Sequence, residues 1–202
     1  MGHITGSRDL SPCALHHAPF LFFMLDTLIS NKTRLKLLLR FFLNEDSRSY
    51  LRGLEAEFNE STNAIRLELN RFEKAGLLLS SMESNRKVFR ANTKHPLYDD
   101  INSILRKYVG LDKIVEHVVH KLGNIKKAYI TGDMAIGLDI KMIELVLVGN
   151  GIDRKYLRTC IIKVEKIIKR DIQFLILHEE QEKLYLMQRK VAFLIWENTI
   201  ET

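Results

Sequence analysis

The sequence predicts an α+β protein made of two unlike halves joined by helices, and three observations predict it. In the first half apolar residues recur at i, i+3, i+4 and i+7, the period of helices, until a pair of short extended runs flanks a polar turn. After Gly123 the pattern changes to the short β-rich runs "AYIT", "IELVLV" and "IQFLIL". The chain has 202 residues, 46% of them apolar, enough to fill two small cores or one larger one.

Residues 1–23 mix Gly, Ser, Pro and three His with one apolar patch, fit no regular element and read as a disordered extension. Met24 stands immediately before the first patterned segment, which places the start of the first domain there. The apolar run from Ala18 to Leu25 is far shorter than the ~20 residues of a membrane span, ends at Asp26 and is not followed by a small-residue cleavage site. Cys13 and Cys160 lie far apart and form no CxxC pair, so neither a disulfide framework nor a cysteine zinc site is suggested. A reducing cytoplasm fits, and no membrane is called for. Lys and Arg exceed Asp and Glu by 31 to 25, a net charge of +6 that suits a polyanionic partner without specifying one.

From Leu25 to Leu43 the stripe Leu35, Leu38, Leu39 and Phe42 predicts a helix, with Ser30 or Asn31 available as its N-cap. The polar break "NEDSRS" leads to Leu51, Leu54 and Phe58, again at helical spacing, and "NES" closes that second short helix with a tight turn. Ser61 can cap a third, in which Ile65, Leu69 and Phe72 share one face and Gly76 follows Ala75 where a left-handed C-cap is wanted. Leu77 to Met82, the polar group "ESN" and "RKVFRAN" then read as a β-hairpin. Three helices followed by a hairpin is the order of a winged helix-turn-helix, assigned to residues 24–95.

Pro96 opens a helix with the stripe Ile101, Ile104, Leu105, Tyr108 and Val109. After Gly110 a second helix places Ile114, Val115, Val118, Val119 and Leu122 together. These residues, 96–122, form a linker laid on the first domain or a dimerisation surface; the spacing does not decide between them. Residues 123–202 follow as strand, strand, helix, strand and a final helix carrying Leu184, Met187, Val191 and Leu194, a small α/β unit. The boundary falls between Gly110 and Gly123, and there are no internal repeats.

The third helix, in "STNAIRLELNRFEKAGLL", has an unusual outer face. Opposite Ile65, Leu69 and Phe72 it carries Thr62, Asn63, Arg66 and Asn70 in place of a Glu/Lys mixture, with Ser61 at its start. The major groove admits such a helix, and Arg and Asn can pair bidentately with guanine and adenine. Arg86 and Lys87 at the hairpin turn, and Arg48 and Arg52 near the second helix, supply cations for phosphates. Double-stranded DNA is therefore the expected partner.

With "NRKVFRAN" after that helix, residues 30–95 resemble the winged-helix domain of ArsR-like bacterial transcriptional regulators. The resemblance makes Ser61 to Ala75 the recognition helix and Leu78 to Ala91 the wing. The sequence departs from the metal-sensing members of that family: the second and third helices contain no cysteine. His117 and His120, with Glu116 beside them, have a spacing that can share a metal but no matching pair on the same element. No metal is expected.

"YITGDMAIGLDIKMIELVLVG" resembles the minimal nucleotidyltransferase fold over roughly residues 125–180. Its motif is Gly-Ser after a strand, then Asp-x-Asp on the next, because alternate strand residues share a face and can hold Mg²⁺ against a triphosphate. Here Gly132 matches the glycine, Asp133 replaces the serine, Met142 replaces the first aspartate and Glu144 stands at the second. Gln173 is the nearest polar residue to the third carboxylate position. A thioether does not replace a carboxylate on Mg²⁺, and Asp133 would repel a triphosphate. The resemblance therefore implies an inactive domain, left with dimerisation, effector binding or protein contact.

The expectation is a cytoplasmic DNA-binding transcriptional regulator, a homodimer and not an enzyme, with no cofactor and an unidentified small-molecule effector. Two rivals remain. An active nucleotidyltransferase with an appended winged helix is separated from it by Met142. A protein-binding winged helix is separated by whether a DNA fragment is retained.

Overall fold

The computed structural model describes residues 27, 29–136, 138, 141–189 and 191–198. The expectations for residues 1–23, for Met24 as the domain start, for the run Ala18 to Leu25 and for Cys13 lie outside the described residues.

Helix α1 (Lys32–Phe42) begins where the Asn31 side chain accepts the Arg34 N–H at 3.1 Å. It buries Leu37 and Phe41 as well as the expected Leu35, Leu38, Leu39 and Phe42. A helix apolar nearly all round is a central one. Its long polar residues reach past the apolar layer to carboxylates: Arg34 to Glu68 at 2.8 Å, Lys36 to Glu60 at 2.6 Å and Arg40 to Glu57 at 3.0 Å. These ties hold α2 (Leu51–Phe58) and α3 (Thr62–Lys74) around α1.

The hairpin β2 (Leu78–Glu83) and β3 (Arg86–Ala91) turns at Ser84 and Asn85, both at positive φ (47° and 63°). Two left-handed residues in succession suit a tight hairpin, because that backbone twist matches the twist of the strands. A third strand, β1 (Arg48–Tyr50), pairs with β3 to give the antiparallel order β1-β3-β2. It arises within the polar break "NEDSRS" and the following Tyr50, where three residues are too few to show alternation.

Helix α4 (Tyr98–Val109) joins the two halves. Near one end the Asn102 amide donates to the carbonyl of Phe42, and near the other Arg106 donates to the carbonyl of Ile195 at 3.1 Å. Gly110 (φ 86°) turns the chain into α5 (Leu111–Ile114), a π-helical turn (Val115–Val119) and α6 (His120–Leu122). A Cβ at Gly110 would come within 2.6 Å of Ile168, so this corner needs glycine for contact as well as for backbone conformation. Leu105, Tyr108, Val109, Ile114, Val118 and Val119 are buried inside the chain, whereas Ile104 is 46% exposed.

The second sheet comprises β4 (Ile125–Thr131), β5 (Met142–Gly149), β6 (Asp171–Leu177) and β7 (Ala192–Glu197), in the order β6-β5-β4-β7. β5 and β6 run parallel and are joined by α8 (Arg154–Ile168); the other pairs are antiparallel. Between β4 and β5 lies the short α7 (Gly132–Ala135), and between β6 and β7 lies α9 (Glu179–Met187). The expected final helix is thereby corrected. It stops at Met187, and Leu194 belongs to β7, where Phe193 and Ile195 alternate into the core. The spacing of Leu184, Met187, Val191 and Leu194 is helical, but Leu184 and Met187 are 64% and 72% exposed and hold no core.

One face of the second sheet, with Ile143, Leu145 and Leu147, packs into a cluster of buried residues continuous from α1 to β7. The other face has Val146, Val148 and Leu177 in a small cluster against Tyr129 and Tyr185. Among the described residues no helix is long and apolar enough to cross a membrane.

Candidate nucleic-acid interface and the site on the second sheet

Ser61 caps α3, its hydroxyl accepting the Ala64 N–H at 3.3 Å, and so sets where the outer face of the helix begins. Thr62 is half-buried in the first turn, while Asn63, Arg66 and Asn70 are exposed. Arg66 and Asn70 line a groove of about 670 Å³ between α3 and the hairpin, and Arg52, Asn85, Arg86 and Lys87 line it too. Four cationic side chains thus meet in a groove with no acidic lining residue. Asn63 lies on the same helix but outside this groove.

The two cations at the hairpin turn differ in their surroundings. The Arg86 guanidinium lies over the Tyr50 ring, 4.9 Å from its centroid. Stacking of this kind fixes a guanidinium while leaving its N–H groups for an anion. Lys87 is paired with Glu73 at 2.7 Å and lies 5.1 Å from the Phe89 centroid. Hydrogen bonds from Lys87 and Ser80 hold the Glu73 carboxyl below its ordinary pKa, so it stays charged and neutralises Lys87. Tyr50 carries no signal in the sequence because it ends a strand too short to show a pattern.

Behind the groove, Glu68 faces inward from α3 and its side chain is 1% exposed. It binds Arg34 and Arg71 and accepts from the Asn31 amide at 3.3 Å. Burial raises its pKa, but the hydrogen bonds and charges of Arg34 and Arg71 outweigh this and hold it below the ordinary value. A charged residue in a helix sequence reads as solvent-facing, so this network carried no sequence signal.

On the second sheet, register places Thr131, Glu144 and Gln173 side by side across β4, β5 and β6. Met142 stands two residues from Glu144 on β5, beside Asp171, a carboxylate that the motif does not point to. Gly132 (φ 71°) lies against Glu144 so closely that a Cβ would meet Oε1 at 2.2 Å. Asp133 is exposed in the first turn of α7. The Thr131 hydroxyl donates to Glu144 at 3.3 Å, and Arg189, just past α9, places its guanidinium 3.7 Å from the same carboxylate.

Thr131, Glu144, Gln173 and Arg189 line a cavity of about 410 Å³ with Tyr185, whose ring lies 4.9 Å from the Arg189 guanidinium. Around Glu144 the cavity offers a hydroxyl, an amide and a resident arginine in place of a further carboxylate. Elsewhere, His117 lies 3.7 Å from Glu116 and His120 packs edge-on against Trp196. Among the described residues no group of three or more His, Cys, Asp or Glu is placed to hold a metal ion.

No family model matches the chain, and no curated protein matches it. Among solved structures, a candidate nucleotidyltransferase from Sulfolobus solfataricus is 25% identical, with a TM-score of 0.32, over 45% of this chain and 80% of that one. Reduced HlyU from Vibrio cholerae is 18% identical, with a TM-score of 0.34, over 45% of this chain and 90% of that one.

Proposed function

We propose that this chain is a DNA-binding transcriptional regulator whose first part is a winged helix-turn-helix of the ArsR-like kind. In this reading α3 lies in the major groove, with Asn63, Arg66 and Asn70 toward base edges and the β2–β3 hairpin along the backbone. The observation that carries it is the groove in which Arg52, Arg66, Arg86 and Lys87 meet with no acidic lining residue. Such a concentration of cations beside amide side chains suits a polyanion with readable edges better than it suits a protein surface of mixed charge.

The second part is read as a nucleotidyltransferase-like domain without catalysis, retained for effector binding or assembly. The Glu144–Arg189 pair supports this, because the cation occupies the neighbourhood in which a two-metal enzyme needs Mg²⁺. The regulator is read as a homodimer, since two copies would engage two half-sites.

Genome-wide mapping of DNA bound to tagged protein tests the reading. The expected result is enrichment at discrete sites, with the same fragments retained by purified protein in vitro. Absence of enrichment over input together with absence of retention in vitro would overturn it.

A further inference from the structure

The three-stranded sheet has an outer face that meets the groove at Tyr50 and Arg86 and extends beyond it. Its inner face, with Ser49, Leu78, Phe89 and Ala91, packs toward the helices. Because side chains alternate along a strand, the outer face receives Arg86 and Arg90 from β3 and Arg48 from β1. Register sets Arg48 directly opposite Arg90. Two like charges placed opposite each other across antiparallel strands destabilise the pair.

Internal compensation is partial. Glu83 reaches Arg48 at 3.5 Å, a surface pair of small worth. The Arg90 side chain is exposed and makes no hydrogen bond or ion pair with another described residue, while its backbone pairs within the sheet. Arg86 links the two surfaces, since it lies on the outer face of β3 and also lines the groove beside α3. From Arg86 to Arg90 is about 13 Å along an extended strand, on the order of four base-pair steps of a duplex.

We propose that this outer sheet face is a second phosphate-contacting surface, on which Arg48 and Arg90 hold the sugar–phosphate backbone of double-stranded DNA beyond the segment that α3 reads. The proposal rests on the DNA-binding reading and adds a part of the footprint to it. A phosphate lying against Arg48 and Arg90 would relieve the repulsion of their juxtaposed charges. These two arginines would contribute to affinity and to salt dependence without discriminating between sequences.

The test uses the full chain and a labelled 30-base-pair duplex of random sequence, with fluorescence anisotropy followed from low to moderate salt. Unsubstituted protein is compared with Arg48→Gln/Arg90→Gln and with Arg48→Lys/Arg90→Lys, each checked for an unchanged thermal unfolding midpoint. The glutamine pair should weaken binding at low salt about tenfold and reduce the slope of log K against log salt by about 1–2, whereas the lysine pair should retain the slope. An unchanged slope in the glutamine pair, while the unsubstituted chain binds, would overturn this proposal and leave the α3 reading standing. An equal loss in the lysine pair would also overturn it, since charge would not be what the residues contribute. No binding by the unsubstituted chain would remove both readings together.

Discussion

Arg189 stands 3.7 Å from Glu144, so this carboxylate of β5 is answered by a cation of its own chain. Gly132 and Thr131 close in on the same carboxylate from β4 and α7. Glu144 is thereby part of an internal network.

The first prediction follows from that network. Incubation with labelled nucleoside triphosphates and Mg²⁺ or Mn²⁺ should leave the protein, added nucleic acids and small acceptors unlabelled. Glu144→Ala should leave DNA binding intact. Label transfer that depends on Glu144 would promote the enzyme reading, and Asp171 beside Met142 would then become the next carboxylate to substitute.

The second concerns the division of labour on the proposed DNA-binding face. Arg66→Ala and Asn63→Ala should weaken binding to sites found by genomic mapping more than binding to random DNA, by about 1–3 kcal/mol for each well-made pairing with a base edge. Equal weakening on both DNAs would remove these residues from the readout set. At the wing, Arg86→Ala should flatten the salt dependence more than Lys87→Ala, because Lys87 is already neutralised by Glu73 whereas Arg86 is only stacked on Tyr50. Equal flattening would show that Glu73 releases Lys87 when DNA binds.

The third is a pH dependence. Glu68 is held below its ordinary value of 4.5 by Arg34 and Arg71, so its contribution to stability is fully present above that value and is lost as pH falls through the folded-state value. Glu68→Gln should lower stability at pH 7 by about 1–3 kcal/mol, the scale of a hydrogen bond to a charged group. Its disadvantage should shrink as pH falls from 5 toward 3. Urea midpoints measured across that range check this, and parallel curves for the two proteins would count against it.

The fourth separates assembly from folding on α4. Ile104→Asp should shift a dimer toward monomer in light scattering at micromolar concentration while leaving the unfolding free energy within about 0.5 kcal/mol, because the side chain faces outward. Tyr108 is buried beneath Arg170, so Tyr108→Asp should unfold the protein and report nothing about assembly. A monomer in the unsubstituted protein, with and without DNA, would set the dimer aside.

The sequence by itself determined the helices whose apolar residues recur at 3.6, the hairpin marked by "ESN" between two extended runs, and the strands "IELVLV" and "IQFLIL". Each of these is encoded by a period or a turn within a dozen residues. It also made the outer face of α3 legible, because Ile65, Leu69 and Phe72 declare which side is inside and thereby expose Asn63, Arg66 and Asn70.

Only the tertiary structure decided the pairings that join distant segments. β1 exists because β3 offers it a partner, not because three residues prefer to be extended. The final helix stops at Met187 because β4 has an open edge that Phe193 and Ile195 can extend while reaching the core, which outweighs the helical spacing of Leu194. The stripe on α4 and α5 turned inward except at Ile104, because both halves of the chain close over it, a choice its spacing left open. Arg189 and Glu144 are 45 residues apart in the chain, and a charge in sequence carries no mark of the charge that will answer it. Local periodicity records which side of an element is apolar; which partner covers that side depends on long-range packing that no short window contains.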